Sequence, residues 1–255
     1  MAIKELAYYN GEPRTNAYLV HNGDYRSLYM LAQGGSNSLS TEAFLCKRIR
    51  QLRDSSSGDK PAVCLDAGAG AALSMLRLAK HYDQDIAAGR VALVGTNLTL
   101  SIAAYIQKAN ATTARDEAKA LYAAYGHNVH ELQTGFTPDQ NHSIILPNGK
   151  QLPLEGNVGV VHERLSVSHW APDPKQQIPV LGGLTAPEGI YMVPKSDVGA
   201  RLHPSKIRKV YQTAHNMLRE DYGLQPVYTV EEGDYARWAL THIIFKGVKA
   251  APIAL

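Results

Sequence analysis

The chain has 255 residues, 45% hydrophobic and 19% charged, a composition that supplies a large core and excludes a disordered polar chain. It holds no apolar run of roughly eighteen residues, as a membrane helix would need, and its opening MAIKELAYYNGEPR lacks the basic-then-apolar order of a secretory signal, so a cytoplasmic protein is expected. A net charge of +3 falls short of a dense nucleic-acid stripe, while Cys46 and Cys64 are too few for a disulfide framework and fit no zinc spacing.

The first part of the chain is rich in tyrosine (Tyr8, Tyr9, Tyr18, Tyr25, Tyr29) and runs into TEAFLCKRIRQL. There Ser40 or Thr41 offers an N-cap, and Phe44, Leu45, Ile49 and Leu52 recur at helical spacing. DSSSGDK breaks that helix as a polar loop. A buried strand is predicted over residues 62–65, a small-residue turn over 66–70, and a helix from Ala71 carrying Leu73, Leu76 and Leu78. After the linker DQDIAAG, RVALVGTNLTL reads as a strand ending near Gly95, followed by a helix through SIAAYIQKAN. A further helix is predicted over 112–125, stopped by Gly126. NVHELQ is extended, and IILPNGKQLPL makes two short extended pieces around an Asn-Gly turn. A buried strand follows at 158–161, then turn residues in GGLTAPEG before a strand at about 190–193. A helix over 205–222 and two extended runs, QPVYTVEEG and YARWALTHIIFKG, close the chain. Strands alternating with helices, then two adjacent extended runs, predict an α/β fold: a mainly parallel sheet covered by helices on both faces, with a C-terminal antiparallel β-hairpin. Ligands of such sheets bind outside the carboxyl ends of the strands, where strand order reverses.

One strand end stands out. In VCLDAGAG, residues 63–70, a carboxylate leaves the strand beside two glycines that let backbone approach a ligand closely and take positive φ. This strand and acidic-x-Gly-x-Gly turn resemble those of the class I, Rossmann-like S-adenosylmethionine-dependent methyltransferases. GTNLTLS resembles the end of that family's second strand, with Asn97 where an acidic residue is usual. VGVVHERLSVSHW resembles its fourth strand, GGLTAPEGIYMVP its turn into the fifth, and the two terminal runs its closing hairpin. The resemblance covers about residues 60 to 247, and the first motif is its specific part. It implies a seven-stranded sheet and S-adenosylmethionine as cofactor. Asp66, Ala67, Gly68 and Gly70 would then surround the cofactor's amino acid part, with Asn97 and Leu98 at its ribose. The chain is then expected to divide into a tyrosine-rich, helical N-terminal segment over residues 1–58, a cap or lid or simply part of the core packing, and a cofactor-binding domain over 59–255. Asn97 keeps an acceptor but loses a charge-assisted bond.

If the protein transfers a methyl group, the acceptor is expected beyond the strand at 158–161, where His162 and Glu163 emerge. An imidazole with a pKa near 6.5 suits removal of a proton near neutral pH, and Glu163 suits orienting that imidazole or binding a cationic acceptor. The bland reading is that both residues cap the following helix. A small-molecule acceptor is favoured over nucleic acid, because no N-P-P-Y tetrapeptide and no cysteine nucleophile accompany the turn. Two other classes stay open. A non-catalytic, methyltransferase-like binding protein is favoured by Asn97; an NAD(P)-dependent oxidoreductase shares a glycine turn, but Leu73 stands where its fingerprint wants Gly or Ala. The ten histidines are scattered without metal-ligand spacing, so no metal is expected.

Overall fold

The computed structural model describes residues 30–33, 37–56, 60–108, 112–163, 174–194, 225–232 and 241–246. In chain order, β1 (Met30–Gln33) and β2 (Asn37–Ser40) precede the helix α1 (Thr41–Ser55). Then come β3 (Ala62–Ala67), α2 (Leu73–His81), α3 (Asp83–Ala87), β4 (Val91–Asn97), α4 (Ile102–Gln107), α5 (Thr112–Tyr125) and β5 (Val129–Gln133). The short strands β6 (Ser143–Ile145) and β7 (Gln151–Pro153) lead to β8 (Val158–Glu163), α6 (Pro174–Leu184) and β9 (Thr185–Pro194). β10 (Gln225–Glu232) and β11 (Thr241–Lys246) follow.

β3, β4 and β8 are buried at every position, which is why they read as continuous apolar runs rather than alternating ones. They lie side by side inside a sheet ordered β2-β1-β10-β11-β9-β8-β3-β4-β5. The five strands β5, β4, β3, β8 and β9 pair in parallel, and β11 and β10 extend them as an antiparallel pair. The mainly parallel sheet and closing antiparallel pair expected from the sequence are present, but the strand count is not the seven implied. The described sheet has two more, β1 and β2, which pair with each other and join through Leu31↔Glu232 and Ala32↔Glu231. These strands lie within residues 1–58, where the sequence suggests helix and lid; residues 1–29 lie outside the described residues.

The chain builds outward from β3 to β4 and β5, then returns to β8 on the other side of β3. Strand order thus reverses between β3 and β8, and the crevice at their carboxyl ends is where this architecture binds ligands. One core packs α1, α2, α4 and α5 against Cys64, Leu93 and Val160. The other packs α6 and the β6–β7 hairpin against Leu65, Val94, Val161 and Tyr191. At about 25 cal/mol for each Å² of apolar surface removed from water, such a double-sided core is the main stabilising term.

Several elements depart from local expectation. β3 and β4 continue to Ala67 and Asn97, past the expected strand ends, because parallel neighbours pair with their last residues. α2 begins at Leu73 rather than Ala71, since Ala72 takes the left-handed conformation at φ 53°. The linker DQDIA is the short helix α3, held by buried Ile86. α6 is unforeseen: it contains Pro179 and ends in Gly-Gly-Leu, yet Ile178, Leu181 and Leu184 bury one side of it. Tertiary packing outweighs propensity there. The helix expected over 205–222 lies outside the described residues. Among the described residues, no helix is long and apolar enough to cross a membrane, and no group of His, Cys, Asp or Glu could hold a metal.

Candidate functional site

The turn after β3 is shaped by alternating left-handed residues: Gly68, Gly70 and Ala72 have φ of 73°, 57° and 53°. Glycine adopts this region at no steric cost, while alanine does so under strain. The neighbouring strand end holds the turn. The Gly68 N–H donates to Thr96 Oγ1 (3.2 Å) and the Ala69 N–H to the Thr96 carbonyl (2.8 Å). The Gly70 N–H donates to Asn97 Oδ1 (2.8 Å), and Asn97 Nδ2 donates back to the Gly70 carbonyl (3.1 Å). The Ala72 N–H closes on the Ala69 carbonyl at 2.8 Å. Most of the turn's amides are therefore spent inside the protein.

Asp66 and His162 are register partners on β3 and β8. Both are buried, and His162 Nδ1 lies 3.2 Å from Asp66 Oδ1. A carboxylate only accepts, so Nδ1–H donates, which leaves Nε2 as the ring's other nitrogen. Alternation along the strand sends the next pair to the opposite face. There the Tyr191 hydroxyl of β9 donates to Glu163 Oε2 at 3.0 Å, in a setting where both residues are fully buried. His162 and Glu163 thus face opposite sides of the sheet, and Glu163 belongs with Tyr191.

The loop after β5 completes the rim. The Thr134 N–H donates to the Asn97 carbonyl (3.0 Å), tying this loop to β4. Thr134 Oγ1 accepts from the Phe136 N–H (3.0 Å) and also meets Gln140 Oε1 and His142 Nε2, at 2.7 and 2.8 Å. Phe136 is bulky, buried and left-handed at φ 52°, a strained position stabilised by stacking on the His142 ring with centroids 5.3 Å apart. Burial holds the His142 imidazole below its ordinary range. Leu98 leans against this loop, its Cδ1 being 3.4 Å from where a Cβ on Gly135 would stand. From α6, Gln177 Nε2 donates to the Gly135 carbonyl at 2.5 Å.

All eight residues singled out from the sequence, Asp66, Ala67, Gly68, Gly70, Asn97, Leu98, His162 and Glu163, lie at or just beyond the carboxyl ends of three adjacent strands. Ala67 is the last residue of β3 and faces the second core. Asn97 ends β4 with its side chain on Gly70. Sequence reasoning missed Thr96, Thr134, Tyr191 and Gln177. A hydroxyl beside Asn97, and a tyrosine inside the apolar run of β9, were the only signals available for the first and third.

No family model matches the chain, and no curated protein matches it in sequence. Solved structures do match its fold. The crystal structure of cofactor-bound Rv0187 from MTB superposes with a TM-score of 0.50 at 14% identity, covering 95% of this chain and 94% of that one. A 16S rRNA (adenine(1408)-N(1))-methyltransferase from Catenulisporales acidiphilia matches at TM-score 0.47 and 14% identity, covering 87% and 99% of the two chains. A SAM-dependent methyltransferase from Thiobacillus denitrificans, in complex with S-adenosyl-L-homocysteine, matches at 0.36 and 16%, covering 73% and 66%. The chain spans about half the length, 46%, of two further matches, a pericyclic reaction enzyme and LepI in complex with SAM. The fold is the Rossmann-like α/β fold of the class I methyltransferases.

Proposed function

We propose that the crevice between β3 and β8 binds S-adenosylmethionine and that the protein transfers its methyl group to a small-molecule acceptor. The observation that carries this reading is the use of the turn's amides. Gly68, Ala69, Gly70 and Ala72 all direct their N–H groups into the protein, so these amides are not aimed at a ligand, and the Asp66 carboxylate stands at the base of the turn as an acceptor. A dinucleotide's pyrophosphate wants donors at such a turn; an ammonium and a sulfonium want acceptors. The same feature disfavours the NAD(P)-dependent reading. Asp66, Ala67, Gly68 and Gly70 would surround the amino acid part, and Leu98 would border the ribose, next to Asn97, whose side chain is turned to Gly70.

Bound there, S-adenosylmethionine supplies an electrophilic methyl group on a sulfonium. The chain's own residues then position the acceptor and manage its proton. His162 Nε2 would take the proton of the acceptor's hydroxyl or amine as the acceptor is methylated and S-adenosylhomocysteine leaves. Asp66, hydrogen-bonded at Nδ1, orients the ring and stabilises the imidazolium formed. Glu163 lies on the other face with Tyr191, where it suits a cationic part of the acceptor rather than the imidazole.

A second reading, a methyltransferase-like binding protein without catalysis, is favoured by the full burial of His162 and Glu163. Two measurements separate the readings. S-adenosylhomocysteine should raise the melting temperature through preferential binding to the folded state, whereas NADH should not. With an acceptor found by following S-adenosylhomocysteine release, His162→Ala should lower turnover by about two to four orders of magnitude while cofactor affinity stays unchanged. Cofactor binding without turnover on any acceptor, or stabilisation by neither compound, would support the binding protein and end the methyltransferase reading.

A further inference from the structure

We propose that Asn97 is a positioning residue: its side-chain amide sets the shape of the glycine turn, and through the turn the affinity for cofactor, without contacting the ribose. The inference rests on the reading of the crevice as a S-adenosylmethionine site and reassigns the work of one residue in it. Asn97 ends β4 and is only 2% exposed. Its Oδ1 accepts from the Gly70 N–H at 2.8 Å and its Nδ2 donates to the Gly70 carbonyl at 3.1 Å. A side chain that serves both backbone groups of one residue acts like a short piece of neighbouring strand. It closes on Gly70 at the point where φ reaches 57°, a conformation the turn needs and an unsupported backbone would not keep. The orientation of the amide is fixed by this pairing, since exchanging oxygen and nitrogen would oppose two acceptors and two donors.

The chemistry explains why an amide stands where an acid is usual. A carboxylate has two acceptors and no donor, so aspartate could hold the Gly70 N–H but would set an oxygen against the Gly70 carbonyl in a buried site. Thr96 works beside Asn97 on the amides of Gly68 and Ala69, and the Asn97 carbonyl receives the Thr134 N–H. One strand end thus ties together the loops after β3, β4 and β5.

The test compares the wild type, Asn97→Asp and Asn97→Ala for binding S-adenosylhomocysteine and its 2′-deoxyribose counterpart, with melting temperature and Gly70 amide hydrogen exchange measured without ligand. Asn128→Ala serves as control, because Asn128 is a buried asparagine bonded to Asp83 before β5, at the opposite end of the sheet. Both Asn97 variants should weaken both ligands equally, by about tenfold or more for loss of a buried hydrogen bond. The preference for ribose over deoxyribose should be unchanged. Gly70 exchange should quicken in both variants and not in Asn128→Ala, which should lose thermal stability without losing affinity. Tighter binding by Asn97→Asp, unchanged affinity in Asn97→Ala, or loss of the ribose preference there would overturn the proposal. Failure of the wild type to bind either compound would instead remove the cofactor reading, and Gly70 exchange would still decide whether the clamp exists.

Discussion

At the scale of single residues, the site depends on backbone conformations that side chains tolerate poorly. Gly70 stands at φ 57° with its N–H and carbonyl both bonded to Asn97. Gly70→Ala should therefore cost about 1–2 kcal/mol, the penalty of a Cβ in the left-handed region. Chemical denaturation should show a lower midpoint with an unchanged slope; an unchanged midpoint would mean that the turn adopts another conformation in solution. Gly68, at φ 73°, carries the same liability, so a β-branched residue there would strain the backbone as well as fill the crevice. A loss of cofactor binding in such a variant would not by itself locate the ligand. Asp66 is the cleaner probe, because its side chain can be shortened without forcing φ.

Among elements, the junction of β8 and β9 is the least forgiving. Their parallel register shifts between Val158 and Val160, where β9 leaves α6 and turns into the sheet. Gly189 sits in this irregular stretch. A Cβ on it would lie 2.8 Å from the Val158 carbonyl oxygen and 2.9 Å from that of Ala186. Backbone atoms cannot swing aside as a leucine tip can, so the strand itself would have to move. Gly189→Ala should destabilise the protein by roughly 2 kcal/mol or more and displace Tyr191, weakening its bond to Glu163. Thermal melts would read the first effect and tyrosine fluorescence the second; a variant as stable as wild type would show that the irregularity is dispensable. The helix α6 makes the complementary point. Leu181, fully buried in the second core, should cost about 2–5 kcal/mol when cut to alanine, although nothing in the local sequence marks its segment as a helix.

For the molecule as a whole, two histidines, one buried and one half-buried, set an acid limit. Burial holds His130 and His142 below the ordinary imidazole range in the folded state. The unfolded chain therefore binds more protons than the folded one as pH falls through about 6.5, and stability must drop with it. The melting temperature should be flat near neutral pH and decline below that range. Replacing both histidines with asparagine should flatten the decline, and an undiminished slope would assign it to other groups. At His142 the protonation also threatens the rim of the crevice, since its ring meets Thr134 Oγ1 and stacks on strained Phe136.

What the sequence determined by itself was local: the apolar runs of β3, β4 and β8, the glycine turn between β3 and α2, and the adjacent extended runs of β10 and β11. Each is a matter of side-chain period, burial and turn chemistry within a few residues, and each is present in the structure. The residues of the candidate site could be named because ligands of parallel sheets sit at strand ends, and strand ends are local features. Their pairings could not be named. Asp66 meets His162 across 96 positions and Asn97 meets Gly70 across 27, contacts set by the order in which strands enter the sheet. The same holds for β1 and β2, short segments that pair with each other and join the sheet through β10, and for α6, whose proline and glycines are outweighed by the face it buries. Periodicity reports which way a side chain points from its own backbone. Only the assembled sheet decides what waits on the other side, and that decision turned Asn97 toward Gly70.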